Sequence, residues 1–227
     1  MLALCFFAWG AFCAGDAQAA PDSPTFEDEL KAKLPDFAPE ISALVERLRE
    51  REIPLTPLRK KLHEGLTKRI DAVRIKQALL RMADDLLWLD EQLARCFKSL
   101  SKDKGVALYE LGDEVLWSGV ERTALAPALA EVCKQKDPSA ALAAAAELHF
   151  FLTTTLDAPA PQSWAFVAEI LRRGAQGAAN RVVLVLQEIH RQRGSIVPAL
   201  ERAQKRLRAG ASLRAIRNEL QDQFLPR

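Results

Sequence analysis

The feature that most constrains this chain is a long apolar stripe with helical spacing. It comprises Ile75, Leu79, Met82, Leu86, Leu89 and Leu93. Steps of three and four residues place these side chains on one face of an α-helix, and that face must be covered by other parts of the chain. Asp71 precedes the stripe, and its carboxylate can accept the unbonded amides of a first helical turn. The stripe therefore predicts the longest helix of the chain, with Asp71 as its N-cap.

Helical spacing recurs along most of the sequence. A second stripe consists of Ile41, Leu44, Val45 and Leu48. Further helix starts are expected where a capping side chain precedes a proline or an apolar segment, because the amide that proline lacks has no partner in the first turn. The residues expected to cap these helices are Thr56, Asp137, Ser195 and Ser212. No segment alternates strictly between apolar and polar residues, so we predict an all-α fold.

Glycines divide the helical segments in a nearly regular way. Gly65, Gly174 and Gly210 each follow an amphipathic segment and precede another apolar one. Glycine suits such positions because a chain leaving a helix often takes a left-handed backbone conformation. A helix–glycine–helix unit about every 40 residues is typical of helical repeats. The segment from Gly119 to Leu156 lacks a matching internal glycine, so stacked helical hairpins could form either an irregular bundle or a short α-solenoid.

Four short motifs follow one another in the first of these units. They are Ile53-Pro54, Glu64-Gly65-Leu66, Arg74-Ile75 and Ala78-Leu79. The stretch that holds them resembles helical repeats in exported bacterial proteins of unknown function. The matching residues are a turn glycine, a cap and an apolar stripe. The resemblance therefore implies a helical repeat and carries no activity with it.

The first twenty residues indicate an export signal. An uncharged apolar run of about 14 residues is too short to span a bilayer comfortably, which favours a cleaved signal over a retained anchor. Ala17-Gln18-Ala19 then provides the small-x-small pattern that a signal peptidase accepts, although no Lys or Arg precedes the run. We predict a signal peptide at 1–20, a mature domain at 21–227 without a transmembrane span, and a periplasmic or secreted location. The mature domain would divide, if anywhere, near 99–105 and 155–162.

Cleavage of this signal would leave two cysteines, Cys96 and Cys133, in an oxidising compartment where a disulfide can persist. Closing the loop between them would stabilise the fold by about 4 kcal/mol in the chain-entropy model. Two buried thiols that never meet are the alternative. The sequence does not choose between them.

Residues that could carry catalysis or bind a metal are sparse. The three histidines, His63, His149 and His190, are not paired at helical spacing, and no Cys-x-x-Cys pair, nucleophile elbow or phosphate-binding glycine loop occurs. We therefore predict no metal and no cofactor. A small helical hydrolase with an acid–base site near His63 and Glu64 is the enzymatic alternative. Acidic residues crowd one helix and are interpreted as its solvated face: Asp84, Asp85, Asp90 and Glu91.

Aromatic and alanine-rich segments predict packing. Trp88, Trp117 and Trp164 each lie next to an apolar stripe, and we interpret them as core residues between helices. Residues 140–146 are nearly all alanine and leucine. Small side chains allow a neighbouring helix to approach closely, so we expect this segment to be central.

Charge is distributed unevenly. Residues 21–171 carry 20 basic and 25 acidic side chains, a net charge of −5, whereas residues 172–217 carry 11 basic and two acidic side chains, a net charge of +9. The residues that we predict to form a binding surface are Arg172, Arg173, Arg181, Arg191, Arg193, Arg202, Lys205, Arg206 and Arg208. Such a surface could contact a protein or an anionic envelope surface, and export argues against nucleic acid. We predict an exported helical binding or scaffold module; self-association through the oppositely charged parts is the structural alternative.

Overall fold

A computed structural model describes residues 24–97, 102–174 and 176–226. The predicted signal peptide at 1–20 lies outside these residues. The described part consists of α-helices joined by short turns and contains no strand, which confirms the all-α prediction. The helices are α1 (Phe26–Lys33), α2 (Ala38–Glu50), α3 (Thr56–Thr67), α4 (Ala72–Phe97), α5 (Lys102–Trp117), α6 (Arg122–Val132), α7 (Pro138–Thr154), α8 (Ala160–Arg172), α9 (Gln176–Arg193), α10 (Val197–Arg208) and α11 (Leu213–Phe224).

The long stripe lies on α4, and all six of its side chains are buried. They face α2, α3, α5 and α6, which pack around this helix. Asp71 caps α4 as predicted, because its Oδ1 accepts the amides of Val73 at 2.9 Å and Arg74 at 3.4 Å. In the second stripe Ile41, Val45 and Leu48 are buried, whereas Leu44 is only partly covered. The helical spacing thus identified both buried faces.

The helices stack in chain order. The main helix–helix contacts in the described part all join helices that are one or two positions apart in the sequence of elements; for example, α8 packs on α6, α7 and α10, and α11 packs on α9 and α10. Contacts confined to near neighbours are typical of stacked helical hairpins. The alanine-rich helix α7 lies centrally, as predicted, since it packs against α5, α6, α8 and α9.

Two of the three predicted turn glycines have the left-handed backbone expected of them. Gly174 has φ 60° between α8 and α9, and Gly210 has φ 90° between α10 and α11. Gly119, with φ 98°, makes the corresponding turn between α5 and α6. The turn inside the middle unit, between α6 and α7 at 133–137, contains no glycine, as predicted.

The third, Gly65, was wrongly predicted to make a turn. It is buried inside α3, and the left-handed residue after that helix is Arg69, with φ 53°. A Cβ atom on Gly65 would lie 2.7 Å from Cγ1 of Ile75 on α4. A Cβ atom on Gly112 of α5 would likewise lie 2.7 Å from Cδ2 of Leu89 on α4. Both glycines therefore permit a neighbouring helix to approach α4 closely.

Two of the four other predicted caps are confirmed. Asp137 accepts the amide of the third residue of α7, and Ser212 does the same for α11 at 3.2 Å. The prediction was wrong for Thr56, which is the first residue inside α3, and for Ser195, which lies one residue before the N-cap of α10. Neither of these two helices has a side-chain cap.

Candidate functional site

The basic C-terminal surface, as we call the nine cationic residues predicted above, lies on α8, α9 and α10. Arg172 of α8 and Arg208 of α10 both bind Glu169, the latter with Nε 3.1 Å from Oε1. Glu169 is only 8% exposed, so two guanidinium groups balance one buried carboxylate. These contacts hold the ends of α8 and α10 together.

A second carboxylate binds two further arginines of the same surface. Glu219 of α11 lies 2.5 Å from Arg202 Nε and 2.8 Å from Arg206 Nε, and so joins α11 to α10. Glu169 and Glu219 both lie outside the window 172–217 in which the sequence analysis counted charge. With them and Asp222 included, residues 169–226 carry 11 basic and five acidic side chains, a net charge of +6. The surface remains cationic.

Other residues of the surface bond to backbone or to near neighbours. Arg173 donates to the carbonyl oxygen of Leu207 in the last turn of α10 and to that of Ala211 in the turn that follows. Arg193 donates to the carbonyl oxygen of Phe224 at 2.7 Å. Arg191 binds Glu188 one turn earlier on α9.

Arg181 and Lys205 are exposed and take part in no ion pair within the described ranges. The structure therefore places the nine residues on three stacked helices and engages seven of them in contacts within the chain. Whether the surface binds anything stays a prediction.

His63 and Glu64, the residues of the alternative acid–base site, line one open groove along α3, and an enzymatic role for them stays a prediction. Glu64 is bound by Lys68 at 2.6 Å and by Lys61 at 2.9 Å, and these hydrogen bonds lower its pKa to about 2. Glu64 therefore stays ionised at neutral pH and has no proton to donate as a general acid. His63 is 60% exposed and lies 3.3 Å from Glu29 on α1.

A cavity of about 170 Å³ lies between α3, α4 and α5, away from the basic C-terminal surface. Its apolar walls are Pro57, Met82 and Trp117. Its charged lining consists of Lys60, Lys61, Glu64, Glu110, Asp113 and Glu114. We call it the α3–α5 cavity.

Asp113 is the buried carboxylate of this cavity. Its side chain belongs to a residue that is 4% exposed, and Oδ1 has no hydrogen-bond partner. Burial, with a contribution from the nearby charge of Asp85, raises the pKa of Asp113 to about 7. The indole of Trp117 and the charge of Lys61 oppose this rise, although the indole N–H lies outside hydrogen-bond geometry. Asp113 was not singled out by the sequence analysis.

Asp85 corrects the interpretation of the acidic cluster on α4 as a solvated face. Asp85 is 4% exposed, and its Oδ1 accepts Nε and Nη2 of Arg122 on α6 at 3.0 and 2.6 Å. Asp90 is also engaged, since it accepts the hydroxyl of Tyr109 at 2.6 Å. Only Asp84 and Glu91 are mainly solvated, and Asp84 still binds Arg122.

Two cations lie over the ring of Trp117. Lys61 Nζ is 4.5 Å from the ring centroid and the guanidinium of Arg81 is 4.8 Å from it. Cations at these distances are attracted to the ring face. Trp117 and Trp88 are only half-buried, whereas Trp164 is buried as predicted and donates its indole N–H to the carbonyl oxygen of Ala124.

His149 lies in a separate buried network. Its side chain is fully buried, with Nε2 2.7 Å from Ser118 Oγ and Nδ1 3.0 Å from Ser163 Oγ. Burial lowers the pKa of His149 to about 4, so the ring is neutral at pH 7. Ser118 Oγ also donates to the carbonyl oxygen of Val115 at 2.6 Å. The network ties α7 to α8 and to the end of α5.

Cys133, at the end of α6, is disulfide-bonded. The side chain of Cys96, its predicted partner, is not among the described side chains. The pairing of Cys96 with Cys133 therefore stays a prediction.

In the described ranges, no group of three or more His, Cys, Asp or Glu side chains is placed to hold a metal ion. Among the same residues, no helix is long and apolar enough to cross a bilayer. In comparisons with known proteins, no protein family, no curated protein and no solved structure matches the chain. Proposals about its function therefore depend on the geometry and charge of its own residues.

Proposed function

We propose that the protein is an exported helical binding module whose basic C-terminal surface contacts the anionic headgroups of a lipid surface. The net charge of +6 over residues 169–226 is the observation that carries this proposal. Export rests on the predicted signal at 1–20 and is supported by the disulfide at Cys133, since disulfides persist in oxidising compartments. The location would be the periplasm or the exterior.

The ion pairs within the surface hold the guanidinium groups in place without covering them. The side chains of Arg172 and Arg208 remain 52% and 62% exposed while both bind Glu169. One carboxylate cannot balance two guanidinium groups, and each group has further N–H donors that can face outward. Side chains ordered before binding lose less conformational entropy when a partner arrives.

The outer face of α9 favours lipid over an acidic protein. Arg181, Leu184 and Arg191 lie on this face at helical spacing, and Leu184 is 65% exposed. Glu188 lies on the same face and binds Arg191, whose side chain remains 74% exposed. An apolar side chain flanked by arginines is typical of a helix that lies at a membrane interface. The arginines would bind headgroups while Leu184 reaches the acyl boundary.

Sedimentation with phosphatidylglycerol vesicles tests this proposal. The variant Arg181→Glu/Lys205→Glu reverses the two cations that have no ion pair in the described part, so it leaves the contacts of Glu169 and Glu219 intact. Each cation near an anionic membrane contributes about 1 kcal/mol, so we expect binding to weaken by at least about tenfold. Binding of the unaltered protein should also weaken as salt is added.

The matched control is Lys33→Glu/Arg74→Glu, which reverses two exposed cations on α1 and α4. This control should bind the vesicles like the unaltered protein. Equal losses in both variants, or equal binding to neutral phosphatidylcholine vesicles, would contradict a specific basic surface. Binding to an acidic protein without binding to vesicles would contradict the choice of lipid.

A further inference from the structure

The α3–α5 cavity is lined by a buried carboxylate with one oxygen that no residue in the described ranges satisfies. Asp113 lines the cavity and is 4% exposed, and its Oδ1 has no partner within hydrogen-bond geometry, although the unpartnered indole N–H of Trp117 lies nearby. Buried carboxylate oxygens in folded proteins almost always accept hydrogen bonds, so such an oxygen needs an explanation. Because Asp113 lines a cavity that opens to solvent, we look for the partner of its carboxylate among molecules from outside the chain.

The charges around the cavity favour a cation over an anion. Glu64 is neutralised by Lys61 and Lys68, and Glu110 is neutralised by Lys60 at 2.8 Å. Asp113 and Glu114, by contrast, have no cationic partner within 4 Å in the described part of the chain. Burial disfavours the ionised form of Asp113, and a positive charge placed beside it would relieve that cost.

The neighbouring cations of the protein are engaged elsewhere. Lys61 binds Glu64 and lies over the ring of Trp117, and Arg122 binds Asp84 and Asp85. The acceptor at Asp113 therefore remains available to a ligand.

The volume of the α3–α5 cavity and the residues that line it restrict which ligands it can hold. The volume of about 170 Å³ is close to that of an engineered cavity of about 150 Å³ that holds benzene, so the space suits about six non-hydrogen atoms. Met82, Pro57 and Trp117 provide apolar walls suited to a short alkyl chain. A group at one end of that chain must donate hydrogen bonds to a carboxylate.

We propose that the α3–α5 cavity binds a small primary alkylammonium ion, with the ammonium group donating to Asp113 and the alkyl chain packed against Met82 and Trp117. This site is separate from the basic C-terminal surface, and neither proposal depends on the other. The bound ion would supply the hydrogen bonds that Asp113 lacks.

Titration with n-butylammonium chloride, followed by nuclear magnetic resonance of the Trp117 indole N–H, tests the proposal. We expect a saturable shift of that resonance, identified by its loss in Trp117→Phe. Asp113→Asn keeps the size of the side chain and removes its charge, so it should weaken binding at least tenfold. Asp84→Asn is the matched control, because it removes a carboxylate of α4 that does not line the cavity.

Two comparison ligands separate charge recognition from simple filling of an apolar space. The proposal expects n-butanol and butyrate to bind at least tenfold more weakly than n-butylammonium. Equal binding of n-butanol would show that the cavity selects only for apolar volume, and would overturn the proposal. It would also be overturned by the absence of a saturable shift, or by unchanged binding in a folded Asp113→Asn protein.

Discussion

Arg122 binds the buried carboxylate of Asp85 through two nitrogens, with Nε at 3.0 Å and Nη2 at 2.6 Å from Oδ1. The pair joins α6 to α4. Asp85 is 4% exposed, so its carboxylate depends on the protein for most of its stabilising contacts.

Replacing Arg122 should therefore destabilise the fold strongly. Arg122→Ala removes both close contacts to this buried carboxylate and leaves only Arg81, with Nε 3.6 Å from Oδ2, so we expect the free energy of unfolding to fall by about 3 kcal/mol. Urea denaturation at pH 7 measures this. The double variant Arg122→Ala/Asp85→Asn should recover much of the loss, and a single variant as stable as the unaltered protein would show that Asp85 is adequately solvated.

The pH dependence of stability should reveal the buried carboxyl of Asp113. Its pKa is raised from 3.8 to about 7, so the folded state holds a proton that the unfolded state releases. The contribution of Asp113 to the free energy of unfolding is therefore largest below pH 4. It decreases by up to about 4 kcal/mol as pH rises towards 7. Asparagine at position 113 cannot titrate, so the free energy of unfolding of Asp113→Asn should not show this fall. In urea denaturation, the stability of the variant relative to the unaltered protein should therefore increase from pH 4 to pH 7. An advantage independent of pH would contradict the raised pKa.

His149 should produce the opposite dependence. Burial lowers its pKa from 6.5 to about 4. Between pH 4 and pH 6.5, His149 is therefore protonated in the unfolded state and neutral in the folded state. Stability therefore rises with pH from 4 to 6.5, by up to about 3 kcal/mol. The contributions of Asp113 and His149 oppose each other in this range. Unfolding of His149→Gln followed by circular dichroism should show a steeper fall in stability with rising pH than the unaltered protein shows.

Gly65→Ala tests the close approach of α3 to α4. Alanine forms helices better than glycine, but its Cβ would lie 2.7 Å from Ile75 Cγ1. Overpacking of this kind costs about 1–3 kcal/mol, which we expect to exceed the gain in helix propensity. Thermal unfolding measures the difference. In a protein that already carries Ile75→Ala, Gly65→Ala should reduce stability less than it does in the unaltered protein. A Gly65→Ala protein more stable than the unaltered protein would contradict the close contact with Ile75.

Helical spacing predicted the fold class because the side chains on the buried face of a helix recur every three or four residues. The residues from Ile75 to Leu93 step by three and four, and all are buried. Capping was less predictable where proline follows. Proline fits the first or the second helical position equally, since neither amide is bonded in the helix, and Thr56 was placed one position away from its observed one. At Asp137 the proline occupies the first position, as expected.

The α3–α5 cavity was harder to predict because its central residue, Asp113, is a polar residue on the buried face of α5, where apolar residues are expected. Asp113 shares a helical face with Tyr109 and Leu116, at steps of four and three, and both are buried. That spacing could have identified Asp113 as an inward carboxylate. Its missing partner could not have been predicted, because it depends on how Lys61 and Arg122 are engaged by other residues.

Gly65 and Gly112 set limits on how this protein can diverge during evolution. Each meets a large side chain of α4, Ile75 or Leu89, at a distance that leaves no room for a methyl group. A descendant that acquires a larger residue at either glycine must shrink the facing residue or move the helix apart. In an alignment of such descendants, positions 65 and 75, and positions 112 and 89, should change together.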